Sequence, residues 1–189
     1  MGILIVILSY LIGCFSTGYY LVRLRLGEDI RELGTRSAGG RNVARFLGPG
    51  GFLITGAGDT IKATLATWLA MSFGENQWVM LGAIVAVVLG HIWPVQLGFK
   101  GGKGISAAFG SLLVFEYRFV LIWLVLAFVI WIVSRRVTLS GILAITLTPL
   151  VSLFLNFEVE RLILIFVIVG LLLIAHRTNI AKILNKSGG

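Results

Sequence analysis

Residues 98 to 104 read Gly-Phe-Lys-Gly-Gly-Lys-Gly, two lysines set among four glycines. Successive amides in a glycine-rich turn form an anion-binding concavity, and a helix starting behind it adds the positive end of its dipole. Gly101, Gly102 and Gly104 would let a phosphate approach the backbone, with Lys103, and beside it Lys100, adding full charges. The plain alternative is a basic turn that only fixes membrane orientation. A Walker loop is excluded: Lys103 precedes glycine rather than Ser or Thr, and no glycine stands five before Gly102.

Three further groupings could serve the same chemistry. Asp59 and Lys62 lie within an apolar run, and a spacing of three puts them on one helical face. They form either a structural ion pair or a carboxylate that holds an ammonium against a substrate phosphate. Arg41, Asn42 and Arg45 are either a solvated loop or further donors to the same anion. His176 ends the last apolar run three residues before Asn179, so one helical turn presents both to a shared site; the alternative is a surface histidine. His91, before Trp93-Pro94, is expected to satisfy carbonyls at a helix end, with contact to a phosphate as its other role.

Other chemistries lack their residues. Two histidines and the lone Cys14 fall short of a zinc site, and one cysteine permits no intrachain disulfide. Gln96 stands where a His-x-x-x-x-Asp acyltransferase box beginning at His91 would need its aspartate. No Gly-x-Ser-x-Gly elbow occurs, so a covalent acyl-enzyme has no evident nucleophile. We expect neither metal nor cofactor.

The elements that must position these residues follow from composition. Of 189 residues 58% are hydrophobic and only 13% charged, with mean hydropathy +0.99, which predicts an all-α integral membrane protein. The formal charge of +8 would suit nucleic acid in a soluble chain, but here the basic residues punctuate apolar runs, so orientation and phosphate binding are the expected reasons. Leu11-Ile12-Gly13-Cys14 resembles a lipoprotein cleavage site, yet no basic residue precedes the run, which is read as a retained first span. Apolar stretches at 3–22, 52–73, 78–97, 104–115, 119–134, 139–155 and 161–175 predict seven crossings in a single domain spanning 1–189, the short fourth being the most doubtful. Alternate connections then collect Arg23, Arg25, Arg31, Arg36, Arg41, Arg45, Lys100, Lys103, Arg135, Arg136, Arg177, Lys182 and Lys186 on one side, against Arg118 and Arg161 on the other. This predicts the N-terminus outside and the C-terminus in the cytoplasm. Every chemically equipped block then opens inward.

Together these blocks resemble one family, the bacterial acyl-phosphate:glycerol-3-phosphate acyltransferases. The family pattern G-S-G-N-x-G-A-T-N-x-x-R is similar to residues 34–45 at Gly34, Gly39, Asn42 and Arg45. D-x-x-K resembles Asp59 to Lys62, G-H-x-x-P-V-x-x-x-F-K-G-G-K-G resembles Gly90 to Gly104 throughout, and H-x-x-N-I resembles His176, Asn179 and Ile180. The chain departs from the pattern at Thr35 for Ser, Arg36 for Gly, Ser37 for Asn and Arg41 for Thr. Gly141 replaces a hydroxyl that Thr138 or Ser140 could supply; Ala175 stands where an arginine commonly precedes the histidine, and the C-terminal G-x-E is missing from Asn185 to Gly189. These departures imply a divergent member, with altered substrate preference or lost activity.

The resemblance implies a membrane enzyme making lysophosphatidic acid. Lys103, Arg45 and Lys62 would neutralise two phosphates, Thr35, Ser37, Asn42, His91 and Lys100 would contribute to binding, and His176 with Asn179 would orient glycerol 3-phosphate. Asp59, Thr138 and Ser140 would support them. A rival reading is a transporter or flippase for an anionic metabolite or lipid. It is disfavoured because the polar blocks share one side and no paired interrupted helices are evident.

Overall fold

The computed structural model describes residues 1 to 186; Ser187, Gly188 and Gly189, which end the divergent C-terminal stretch, lie outside the described residues, as do the side chains of Lys182 and Lys186. Among the described residues the structure is helical without strands, as expected. The elements are α1 Gly2–Cys14, α2 Thr17–Leu26, α3 Gly40–Phe73, α4 Gln77–Ile92, a 3-10 turn Val95–Leu97, α5 Ile105–Phe115, α6 Tyr117–Ser134, α7 Val137–Ser152, α8 Val159–Ala175 and α9 Arg177–Lys186. Segments Gly2–Leu26, Gln77–Leu97 and Tyr117–Ser134 are long and apolar enough to cross a membrane. Apolar side chains face outward as freely as inward: Ile3 is 81% exposed and Val133 83%. A soluble fold would bury such a surface, whereas lipid solvates it.

The chain forms two compact units, Met1–Phe115 and Glu116–Gly189. In the first, α1 packs along α4 and α3 along α5. Small residues set these contacts: a Cβ on Gly13 would meet the Val87 backbone, and one on Gly110 the Thr60 backbone. Close backbone approach is how helices associate where lipid removes the usual hydrophobic drive. Val22, Ile30, Ala38 and Val43 form a buried cluster beneath the polar segment that joins α2 to α3.

Two expected features differ. The first run is not one helix: Phe15 and Ser16 are extended, which separates α1 from α2. The break frees carbonyls, and side chains from elsewhere accept the task of satisfying them, as lipid cannot. The polar block at 34–45 is likewise not all loop, because α3 begins at Gly40. Helical geometry then bends at Gly48, with φ 65 and ψ −166, a region essentially reserved for glycine, and resumes at Pro49, whose missing N–H costs least in a first turn.

In the second unit, α6 packs on α7 and α7 on α8. The buried carboxylate of Glu116 receives Arg118 Nε at 2.7 Å and Nη2 at 2.8 Å, and it also pairs with Arg161. Arg161 reaches on to Glu158 at 3.0 Å. Phe119 stacks on Phe157 with centroids 4.5 Å apart, and the Arg118 guanidinium lies 4.2 Å from the Phe157 ring centre.

Candidate active site

The polar blocks of the first unit are tied to one another through backbone. After α4 ends at Ile92, the chain turns at Pro94, whose carbonyl accepts from the amides of Leu97 (3.1 Å) and Phe99 (3.0 Å). Positive φ at Gly98 and Phe99 then reverses the chain. It runs back over the end of α4: the Gly101 amide donates to Ile92 O at 3.1 Å and the Gly102 amide to His91 O at 3.0 Å. This overturns one detail of the expected anion cradle, since these two amides satisfy helix-end carbonyls and have no proton left for a phosphate. Next in the chain stand the half-buried side chain of Lys103 and the first turn of α5, whose amides lack intrahelical acceptors. Gly104 carries φ 85 at this entry and Lys100 is exposed.

The segment before α3 is joined to this loop. The Ala38 amide donates to Gly101 O at 3.2 Å, and Arg31 Nη1 donates to Leu97 O at 2.5 Å. Arg31 is itself oriented by a bidentate pair with Asp29, 2.6 Å at its shortest, and lies 5.1 Å from the Tyr19 ring centre. The guanidinium hydrogen-bonded to it holds the Asp29 carboxyl below its usual range. Asn42, buried at 2% exposure, organises the segment from inside. Its Oδ1 accepts from the Thr35 amide at 2.8 Å, and its Nδ2 faces the carbonyls of Ile30, Leu33 and Ser37 at 3.2, 2.9 and 3.0 Å. The Asn42 amide is therefore committed to backbone, and its service to a ligand runs through Thr35 and Ser37. Thr35, Arg41 and Arg45 are exposed, while Ser37 is buried and its Oγ accepts from the Gly39 amide at 3.3 Å. Arg36 adopts φ 57, the left-handed conformation that a glycine at this place would take without strain.

Asp59 and Lys62 form the expected pair, with Lys62 Nζ 3.2 Å from Asp59 Oδ1. Both are buried. The ammonium also donates to Gly13 O at 2.8 Å and to Phe15 O, at the break between α1 and α2. Three acceptors match its three protons, which favours the structural reading of Lys62 over direct contact with a phosphate. Gln96 Nε2 donates to the intervening Cys14 O at 2.6 Å, so the broken helix is sealed. Asp59 Oδ1 also accepts from Thr17 Oγ1 at 3.0 Å and lies 3.6 Å from His91 Nδ1. His91 thus sits among side chains of the interior, and its Nδ1 has no hydrogen bond to a helix-end carbonyl among the described residues.

The second unit carries the remaining candidates. His176 ends α8, buried, with Nδ1 2.8 Å from Leu172 O, and the Asn179 amide donates to its carbonyl at 2.8 Å. The predicted one-turn relation of His176 and Asn179 is present at the junction of α8 and α9. Thr138 lies in the first turn of α7. Ser140 Oγ lies 2.8 Å from Ser134 Oγ and 3.0 Å from Arg136 O, so its hydroxyl holds the turn between α6 and α7. A Cβ at Gly141 would meet open space.

Sequence reasoning missed Arg31, Thr17 and Tyr10, whose OH donates to Trp93 O at 2.8 Å. Arg31 had one readable signal, an aspartate two residues earlier in a turn. Tyr10 had none, since its partner is a main-chain carbonyl 83 residues away.

Residues 3–186 match the family described as Glycerol-3-phosphate acyltransferase. Among curated relatives, the glycerol-3-phosphate acyltransferase 1 of Desulfitobacterium hafniense is 40% identical over 95% of this chain and 89% of its own length. That of Alkaliphilus metalliredigens is 39% identical over 97% and 92%. The crystal structure of PlsY (YgiH), an integral membrane glycerol 3-phosphate acyltransferase, in its glycerol 3-phosphate form superposes with a TM-score of 0.88 at 32% identity, covering 98% of this chain and 92% of that one. Its lysophosphatidic acid form gives 0.85 at 30% identity. The sequence match over nearly the whole chain and the shared fold agree, and the chain belongs to the glycerol-3-phosphate acyltransferase family.

Proposed function

We propose that this chain moves an acyl group from an acyl phosphate to a hydroxyl of glycerol 3-phosphate at the cytoplasmic face of the bacterial inner membrane, giving lysophosphatidic acid and inorganic phosphate. The observation that carries the reading is the joining of residues 34–45 to residues 98–104 by the Ala38 to Gly101 hydrogen bond. Cations far apart in sequence, Arg45 and Lys103 above all, then serve one end of the first unit. An acyl phosphate is already activated, so the enzyme has to position and neutralise rather than form a covalent intermediate. The glycerol hydroxyl oxygen attacks the acyl carbon, the carbon–oxygen bond to phosphate breaks, and the phosphate departs with the bonding electrons. A phosphate oxygen takes the hydroxyl proton, with His176 as the alternative acceptor.

In this reading Lys103, Arg45 and the start of α5 neutralise phosphate, with Lys100, Thr35 and Ser37 at the rim. His176 and Asn179 orient glycerol 3-phosphate, and the acyl chain lies against lipid. The whole chain works as one catalytic domain with seven crossings, its N-terminus outside, as the distribution of arginine and lysine supports. Transport is the weaker reading: the first helix is interrupted, as in many transporters, but Lys62 and Gln96 fill the acceptors of the break. Purified protein supplied with labelled glycerol 3-phosphate and, in parallel, acyl phosphate, acyl coenzyme A or acyl carrier protein tests the proposal. Labelled lysophosphatidic acid from acyl phosphate alone is the expected result. Product only from a thioester would overturn the donor, and uptake into liposomes without product would overturn the enzyme reading.

A further inference from the structure

The underside of the glycine loop rests on a buried polar column. The His91 ring is 4% exposed and spans two partners. On one edge Nδ1 stands 3.6 Å from Asp59 Oδ1 and has no hydrogen bond among the described residues. On the other edge lies Gly102: a Cβ built there would overlap His91 Nε2 and would sit 2.7 Å from Cε1 and 3.0 Å from Cδ2. Real contacts never close so far, and a ring buried on both edges has nowhere to go. Gly102 is therefore a glycine because the imidazole fills the place of its side chain.

Beneath the ring, Asp59 is fixed by Thr17 and Lys62. The Lys62 ammonium occupies a cup made by the Asp59 carboxylate and the carbonyls of Gly13 and Phe15. Carbonyls of an unwound helix plus a carboxylate are what a bound alkali cation uses elsewhere, and here the cation is tethered to α3. A buried charge pair and a buried imidazole are expensive compared with apolar residues of equal volume. Their use beneath a ligand-binding loop calls for a role in placing it.

We propose that Lys62, Asp59 and His91 are positioning residues: the tethered ammonium locks Asp59 to the helix break, Asp59 locks the imidazole, and the imidazole sets the height of Gly102 and with it the aim of Lys103. None of the three touches substrate in this arrangement. The inference rests on the phosphate-binding reading of residues 98–104.

A double-substitution cycle on the full chain in detergent tests it, with KM for glycerol 3-phosphate, kcat and the thermal unfolding midpoint measured for each variant. Gly102→Ala should raise KM about 10- to 100-fold, the scale set by small misplacements of a binding group. Adding His91→Ala empties the space that the new methyl needs, so the double variant should bind better than Gly102→Ala alone. A ring that contacts substrate directly would give losses that add, and that result overturns the proposal. Should Gly102→Ala fail to fold, Asp59→Asn reads the same column without added volume: KM rises with kcat little changed, the signature of lost binding rather than lost chemistry. An unchanged KM overturns it. Should the native chain form no product at all, the functional reading fails separately. The unfolding midpoints then decide the contact, because His91→Ala must restore part of the midpoint lost in Gly102→Ala, and no restoration overturns it.

Discussion

The two units each bury a carboxylate among cations, and the clusters end differently. Glu116 is met by Arg118 and Arg161, whose side chains are 46% and 30% exposed, and the network closes at Glu158, which is 62% exposed. Asp59 is met by Lys62, which is 7% exposed, and by His91, which is 4% exposed, and its network ends on main chain: the carbonyls at the α1–α2 break and Gly102, whose missing side chain the His91 ring replaces. The first arrangement clamps a helix junction and could be replaced by packing. The second transmits the position of side chains to the backbone that carries Lys103. A buried ion pair by itself says little about function; the groups on which its network ends say more.

This contrast can be broken in order of expected effect. Lys103→Ala should cut turnover by about 100-fold or more, the range for losing a group that stabilises transition-state charge, with the unfolding midpoint unchanged because Lys103 is half-buried and at the site rather than in the core. Native turnover by that variant would leave the loop a mere orienting turn. His176→Ala should lose less, about 10-fold, since orientation survives in part through Asn179; equal rates for variant and native protein would return it to a structural histidine.

Paired isosteric substitutions sharpen the comparison directly. Asp59→Asn strands a buried ammonium and should cost about 3 to 5 kcal/mol in denaturant unfolding, together with the loss of binding described above. Glu116→Gln leaves two arginines that reach solvent and should cost about 1 kcal/mol, with activity per folded molecule unchanged. Equal costs, or an activity loss at Glu116, would erase the distinction.

The Glu116 cluster should also set an acid limit. Hydrogen bonding from Arg118, then from Arg161, holds the Glu116 carboxyl below its usual range against the opposing effect of burial. With the folded value below an unfolded value of about 4.3, the stabilisation is complete above the unfolded value and is lost as pH falls through the folded one. Unfolding midpoints from pH 7 to pH 3 should therefore fall more steeply for the native chain than for Glu116→Gln. The smallest effect expected is at Arg36, where Arg36→Gly should stabilise the chain by about 1 kcal/mol by removing a left-handed non-glycine conformation.

Much of this was legible in the residue string, and the reasons divide by distance. Helical class and membrane placement follow from local apolarity, and each of the seven apolar runs is largely helical, the first of them divided between α1 and α2. The pairing of Asp59 with Lys62 and the turn shared by His176 and Asn179 follow from spacing along a helix, which sequence states outright. What sequence did not state was how backbone groups are spent. The amides of Gly101 and Gly102 are taken by α4, the protons of Lys62 by a helix break 47 and 49 residues away, and the amide of Asn42 by its own segment. Residue type names the donors that exist, but only the fold shows which of them are already engaged. The break itself was hidden because Ser16, although a residue type that favours helix starts, lies inside an apolar run long enough for one continuous span.

The central claim is that the glycine loop is held from below by its Gly101 and Gly102 amides and offers phosphate the Lys103 ammonium and the start of α5. A structure of this chain with glycerol 3-phosphate and inorganic phosphate bound tests it most directly. Lys103 Nζ should lie within hydrogen-bond distance of a phosphate oxygen while the Gly101 and Gly102 amides stay on Ile92 O and His91 O. Phosphate seated on those two amides, with Lys103 turned away, would contradict it.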